Sequence, residues 1–237
     1  MSEVDEQRQY YKDTAGSYDD ACVADPNDEH FIASALLSGI FRHYNIKSVL
    51  DVGCGTGRSI NYLEQRHPEM TFMGVEPVKE LRDVAIGKGL KESQLAEGDA
   101  CNLDYEDGAF DCVMMFGVLH HIPDPEPAIR EALRVSRKLV FISDHNVYGM
   151  GSPLTKRVKQ CFRDLHLRWL LKLLLTGGKG YHSTNWDGIF YPFSLVDYFP
   201  LIRAKVAATY TFSTKTAAVN LYRDASHLAI LGVKEDE

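Results

Sequence analysis

The chain has 237 residues, 45% of them hydrophobic and 25% charged, with a formal net charge of −7 at pH 7. That balance is ordinary for a globular protein and excludes a disordered chain, a collagen-like fibre and a coiled coil. Net acidity argues against broad nucleic-acid binding, which needs a basic footprint, so no nucleic-acid partner is expected.

The polar start, MSEVDEQRQYYKD, lacks the apolar region of a signal peptide, and residues 1–45 read as a helical cap. Ser48–Gly53 (SVLDVG) reads as a first strand and Gly57–Arg66 as a helix with Ile60 and Leu63 on one face. Thr71–Glu76 (TFMGVE) is a second strand, Val78–Ile86 a helix, and Gln94–Gly98 a short third strand. Phe110–Phe116 (FDCVMMF) is apolar along its length. Pro125–Val135 then reads as a helix opened by proline, and Lys138–Ser143 (KLVFIS) as a fifth strand. Residues 150–190 break the alternation and read as a helical and loop insertion over the active site. Phe193–Phe199 is expected to be helical, and Lys205–Phe212 with Leu228–Val233 to form an antiparallel closing pair.

Strands alternating with helices at this spacing imply βαβ units. The expected fold is α/β: a Rossmann-like, doubly wound, mostly parallel sheet with an antiparallel closing strand, forming one domain over 1–237. Ligands then bind at the carboxyl ends of the strands. Five cysteines, at 22, 54, 101, 112 and 161, show no CxxC pair, which suits a reduced, cytoplasmic protein. No apolar run reaches the ~18 residues of a membrane span.

The strongest motif is Asp51-Val52-Gly53-Cys54-Gly55-Thr56-Gly57, after a strand and before a helix. Glycines there allow a tight turn and close backbone approach, and the helix start offers free N–H groups. The dinucleotide fingerprint GxGxxG is not met, because its third glycine position holds Arg58. Asp51 just before the loop would repel a pyrophosphate and favour a cationic ligand. Both features disfavour a NAD-dependent oxidoreductase. Glu76, at the end of the second strand, can accept hydrogen bonds from ribose hydroxyls, and Asp99, in Gly98-Asp99-Ala100, one from an adenine amino group.

VLDVGCGTG, VEP, EGDA and FDCVMMFGVLHHI together resemble the class I S-adenosylmethionine-dependent methyltransferases, in their small-molecule, type 11-like branch. The resemblance covers roughly residues 10–144. It implies S-adenosyl-L-methionine as cofactor, with Gly53, Cys54, Gly55 and Gly57 under its methionine part and Asp51 near the amino-acid end. It further implies Glu76 and Pro77 at the ribose, Asp99 and Ala100 at the adenine, and Phe116 bordering the cofactor. Tyr11 and Tyr18 resemble the family's N-terminal capping segment.

Methyl transfer to an alcohol also needs a proton removed. His120 and His121 after the fourth strand, and Asp144 and His145 after the fifth, are the candidate catalytic residues. Some sugar O-methyltransferases that the chain resembles use a histidine and an aspartate from these two places. Tyr181, His182, Trp186 and Asp187 are further candidates for acceptor contact. The Asn/Asp-Pro-Pro-aromatic motif of nucleobase amino-methylating enzymes is replaced by Phe116-Gly117-Val118-Leu119. No Cys/His cluster has metal-ligand spacing, so no metal is expected.

The expected activity is O-methylation of a small hydroxylated acceptor. The insert GSPLTKRVKQCF and the later DGIFYPFSLVDYFP look similar to methyltransferases of bacterial surface-polysaccharide synthesis, which points to a sugar or lipid-linked sugar. The alternatives are N- or O-methylation of another metabolite or natural product, and a non-catalytic cofactor-binding protein. Residues 151–180 carry seven basic residues against one acid, leaving −13 on the rest of the chain. Leu154, Val158, Cys161, Phe162, Leu165 and Trp169 recur at helical spacing within them. A lid helix with a solvated basic face is one reading. The other is peripheral contact of 154–175 with the inner face of a membrane, or reception of an anionic acceptor.

Overall fold

The computed structural model describes residues 2–19, 29–185, 187–215 and 220–235. Cys22 and Trp186, singled out above, lie outside the described residues. Cys54, Cys101, Cys112 and Cys161 are free thiols.

Seven strands form one sheet: β1 (Ser48–Val52), β2 (Thr71–Val75), β3 (Leu95–Ala96), β4 (Phe110–Phe116), β5 (Ser136–His145), β8 (Ala208–Ser213) and β9 (His227–Val233). Their order is β3-β2-β1-β4-β5-β9-β8. β1 to β5 are mutually parallel, and β9 runs antiparallel between β5 and β8. The order reverses between β1 and β4, so the crevice of a doubly wound sheet opens at their carboxyl ends.

All seven residues of β4 are buried, because the central strand is covered on both faces. Val113 and Met115 pack with Ile129, Ala132 and Leu133 of helix α5 (Glu126–Val135). Cys112, Met114 and Phe116 pack on the opposite face with Ala33 and Leu37 of α2 (Glu29–Ile40) and Ile60 and Leu63 of α3 (Arg58–Glu64). Helix α4 (Lys79–Gly87) follows β2, and α1 (Glu3–Thr14) is capped at its start by Ser2.

Three expectations shift. β3 spans only two residues. β5 runs on through Asp144 and His145 because β9 pairs with it as far as His145 opposite His227, so both residues belong to the strand and do not follow it. The helix expected over Phe193–Phe199 begins later, as a 3₁₀ turn at Leu195–Tyr198 leading into α8 (Phe199–Arg203). Ser194 is held extended by a bridge to Asn146, and Pro200 suits the first turn of α8.

The insertion forms α6 (Pro153–Asp164), α7 (Arg168–Leu175) and a hairpin of β6 (His182–Thr184) and β7 (Gly188–Phe190). The expected apolar stripe does not pack fully onto the sheet. Leu154 is 71% exposed and Trp169 63%, with Val158, Leu165, Leu173 and Leu174 also exposed. Arg157, Arg168 and Lys179 are exposed on the basic side, while several cations make contacts with the rest of the fold. Lys159 Nζ donates to the carbonyls of Val147 and Met150, Arg168 pairs with Asp197 at 3.2 Å, and Lys172 lies over the Tyr191 ring. No helix among the described residues is long and apolar enough to cross a membrane.

Asn146 ties the 221–225 segment to Tyr148 and Ser194, which flank the insertion. Its fully buried side chain donates to the carbonyls of Leu221, Tyr222 and Ala225, and accepts from the Tyr148 amide and the Ser194 hydroxyl. Asn146→Ala strands these groups without partners and should lower stability by roughly 2–4 kcal/mol. Urea unfolding checks this, and an unchanged midpoint would show that the anchor carries no weight.

Candidate functional site

The loop after β1 turns on three glycines in the left-handed region, Gly53, Gly55 and Gly57, at φ 74°, 52° and 72°. Gly53 is doubly constrained, since a Cβ there would come within 2.5 Å of Val118 Cγ2. The loop's N–H groups are largely used within the fold. Those of Gly53 and Cys54 donate to Val75 O, that of Gly57 to Cys54 O, and that of Gly55 to Glu76 Oε2 at 3.0 Å. Carboxylates rather than bare amides therefore set the polarity here.

Glu76 is buried, and its Oε1 accepts from Val78 N at 2.9 Å. Each of its oxygens takes one backbone donor, leaving capacity for one more bond each. Burial raises its pKa, opposed by those two bonds. Asp51, beneath the loop, is pushed up to about 7 by burial, with Arg58 opposing and Glu76 adding to the rise. Arg58 on Asp51, and Arg82 and Arg8 on Glu76, offset the burial of the two carboxylates only in part, and a cationic ligand relieves the rest.

A cavity of about 410 Å³ opens against this loop. Gly53, Gly55, Glu76, Pro77, Asp99, Ala100 and Phe116 line it, as do Tyr11, Tyr18 and His121. Asp51, Cys54 and Gly57 stand behind the lining. Cys54 packs under the loop instead, where a Cβ on Gly74 would meet its Sγ. Val78, Leu81, Val118 and Ile122 supply apolar walls that sequence reading did not single out, because their spacing is also that of ordinary core. A larger cavity of about 960 Å³ lies at the other end of the sheet, around Gly108, Ser136 and Val206, and holds none of the motif residues.

Beside the first cavity lies a polar cluster. His120 is 4% exposed, and its Nδ1 lies 2.7 Å from Asp144 Oδ1, so Nδ1 carries the hydrogen and donates. Asp144, 2% exposed, also accepts from Leu119 N at 2.8 Å and His145 N at 2.6 Å. Burial opposes charge on both members, but their pairing prevails. It lifts His120 to about 10 and holds the Asp144 carboxyl well below its usual range. His145 stacks on His120 at 4.0 Å, and burial and the charge of His120 hold it well down, so it stays neutral. His120 Nε2 lies 3.4 Å from Asp187 Oδ2 but has no hydrogen-bond partner among the described residues.

His121 is fixed from the other side. Its Nδ1 lies 2.7 Å from Ile189 O, a contact that requires a proton on that nitrogen. Its Nε2 faces the Tyr11 hydroxyl at 2.8 Å and Asp187 Oδ1 at 3.4 Å. Gln7, buried on α1, holds this side together by donating to Asp187 O at 3.1 Å and accepting from Ile189 N. Gln7 was not visible in the sequence, since one glutamine in a polar helix gives no periodic signal. Tyr181 and His182 pack on Tyr191 and Phe190 instead of joining the cluster.

Residues 50–141 match the family described as "Methyltransferase domain". Over those residues the chain is similar to the class I S-adenosylmethionine-dependent methyltransferases, and its sheet has their fold. It is similar to norajmaline N-methyltransferase of Rauvolfia serpentina, 31% identical over 51% of this chain and 46% of that protein. It is also similar to tocopherol O-methyltransferase of Arabidopsis thaliana, 35% identical over 38% of this chain and 27% of that one. The chain thus spans less than half the length of these relatives. Among solved structures, a methyltransferase of Thermotoga maritima described as a possible histamine N-methyltransferase matches with TM-score 0.60 and 17% identity, over 97% of this chain and 100% of that one. Magnesium protoporphyrin IX methyltransferase of Synechocystis PCC 6803, solved with bound S-adenosylhomocysteine, matches with TM-score 0.59 and 15% identity, over 96% and 98%.

The residues fit the family's cofactor. The Gly53 cradle admits no Cβ, Glu76 keeps acceptor capacity for ribose hydroxyls, and Asp51 and Glu76 favour a cation. A ligand amine beside Asp51 selects its ionised form, so affinity for S-adenosylhomocysteine should rise as pH increases through about 7 and then level. Calorimetry across that range reads the slope, and Asp51→Asn should abolish it. A flat wild-type profile would show that the carboxylate does not meet the ligand.

Proposed function

We propose that the chain methylates the hydroxyl of a small acceptor, with S-adenosylmethionine as donor. The observation that carries this is the cluster of His120, His121 and Asp187 directly beside the cofactor cavity, with His121 lining it. S-adenosylmethionine supplies an electrophilic methyl group on a sulfonium. Gly53, Gly55, Glu76, Asp99, Ala100 and Phe116 bind and orient it, with Asp51 set behind Gly53. Tyr11 and Tyr18, from the N-terminal segment, exclude water over it. The hydroxyl proton passes to His121 Nε2, whose lone pair is available because Nδ1 holds the proton donated to Ile189 O, while His120, lifted to about 10, stays protonated beside it. Asp144 holds the His120 ring in place and His145 backs it by stacking.

A second cavity of about 490 Å³ shares Ile122 and Pro123 with the first. It is walled by Tyr148, Trp169, Tyr191, Phe193 and Tyr198, with Arg168, Lys172 and Asp197 at its polar points. Such walls suit an acceptor with a flat or apolar body and several hydroxyls, and a sugar or lipid-linked sugar meets that description. An acceptor-library screen that follows S-adenosylhomocysteine formation tests the reading. With a genuine hydroxyl acceptor, His120→Ala, His121→Ala or Asp144→Ala should lower kcat by about 10²–10⁴-fold. Near-normal turnover in all three would leave catalysis to positioning alone. Turnover only with amine acceptors would make the chain an N-methyltransferase of another metabolite.

The outward face of α6 and α7 supports a second part of the proposal, peripheral contact with an anionic membrane. Leu154, Val158, Leu165, Trp169, Leu173 and Leu174 are six of the thirteen exposed large apolar residues among those described. Arg157 and Lys179 are exposed close by. Apolar residues that enter the headgroup region beside cations bind anionic lipid. Co-sedimentation with phosphatidylglycerol vesicles should show binding that falls with salt and is lost in the Leu154→Ser, Leu174→Ser double variant. Absence of binding at low salt eliminates the membrane contact and leaves the methyltransferase reading intact.

A further inference from the structure

The geometry points to a divalent transition-metal site formed by His120 Nε2, His121 Nε2 and the Asp187 carboxylate. The three groups come from the turn after β4 and from the inserted hairpin, and their donor atoms lie within 4.8 Å of one another. Two imidazoles and one carboxylate form a set that suits zinc or a neighbouring first-row cation, with positions left for exogenous ligands.

Three observations separate this arrangement from an ordinary ion-pair network. First, both rings are anchored through Nδ1, one to the Asp144 carboxylate and the other to the Ile189 carbonyl, each at 2.7 Å. That is how metal-bound histidines are held, with the remaining nitrogen oriented toward the ion. Second, His120 Nε2 is buried and has no hydrogen-bond partner among the described residues. The group it faces is the Asp187 carboxylate at 3.4 Å, and a divalent cation there would take the place of the Nε2 proton that the flanking carboxylates now favour. Third, each Nε2 lies 3.4 Å from a different oxygen of Asp187. That is long for a charge-assisted hydrogen bond. Each distance is close to one ligand-to-ligand edge of a tetrahedral site, roughly 3.3–3.4 Å for metal–ligand bonds of about 2.05 Å, and the carboxylate would turn to offer a single oxygen to the ion.

The alternative grouping of His120, Asp144 and His145 is less suited. Asp144 Oδ1 already accepts from His120 Nδ1 and His145 N. The Tyr11 hydroxyl, 2.8 Å from His121 Nε2, competes with the metal for one lone pair. Removing it should therefore not weaken metal binding. The site adjoins the cofactor cavity through His121, so a bound cation there can take an acceptor hydroxyl as ligand and lower its pKa. That role rests on the methyltransferase reading; metal binding itself does not.

The test titrates the chelator-treated 237-residue chain with Co²⁺, without acceptor or turnover. One equivalent should bind and give the visible absorption of a low-symmetry nitrogen–oxygen site. Zn²⁺ should displace it, whereas Mg²⁺ should not. His120→Ala and Asp187→Ala should each weaken binding at least about 100-fold, Asp144→Asn, acting through the ring, by about 10–100-fold, and Tyr11→Phe not at all. S-adenosylhomocysteine affinity serves as the folding control, because His120 and Asp187 do not line that cavity. Where an alanine variant loses the control, Asp187→Asn replaces it, and a rise in wild-type Tm with Zn²⁺ gives a second readout. Absence of Co²⁺ binding to wild type, or equal affinity in folded His120 and Asp187 variants, overturns the metal site. Either result leaves the cofactor assignment standing.

Discussion

The Asp144 carboxylate is the contact on which the arrangement of the site depends. It sits inside the sheet at the end of β5, where a bare charge would be prohibitive. Three donors compensate it: the Leu119 amide, the His145 amide and the His120 ring. Two of these belong to the turn that follows β4, so one charge locks the ends of two neighbouring strands together. That lock fixes the His120 ring plane, and His145 stacked against it leaves the ring no room to rotate.

The same principle governs the cofactor end. Asp51 and Glu76 are buried beneath and beside a turn whose own amides are already bonded. A loop of free amides would attract phosphate, as in dinucleotide sites. This loop uses its amides on Val75 O and Glu76, which makes the pocket electronegative. The choice between pyrophosphate and sulfonium or ammonium ligands is thus set by where the backbone hydrogen bonds go.

Much of this was legible in the sequence, because the parallel core is written in local signals. Apolar strands, glycines needing positive φ and carboxylates at strand ends each depend on a few neighbouring residues. His120, His121, Asp144 and His145 were found in the same way, from places read as following the fourth and fifth strands. What stayed hidden depends on long-range pairing. The extension of β5 through His145 follows from β9, more than eighty residues away in the chain. Asp187 enters the cluster only because the β6–β7 hairpin folds back to His121 through Ile189. The outward turn of the α6–α7 apolar stripe escapes periodicity as well, since a helical repeat shows that a stripe exists but not which way it faces.

Helix α1 carries the physical link between the two ends of the site. Tyr11 lines the cofactor cavity and places its hydroxyl on His121, while Gln7, one turn earlier on the same face, grips Asp187 O and the Ile189 amide. Gly188 exists in the hairpin partly for this contact, since a Cβ there would collide with Gln7 and Tyr10. The helix that covers the cavity is therefore the one that seats Asp187 beside the histidines. Tilting α1 away would open the cavity and dismantle the His121–Asp187 contact in one movement, so access to the cofactor and assembly of the polar cluster are a single structural variable.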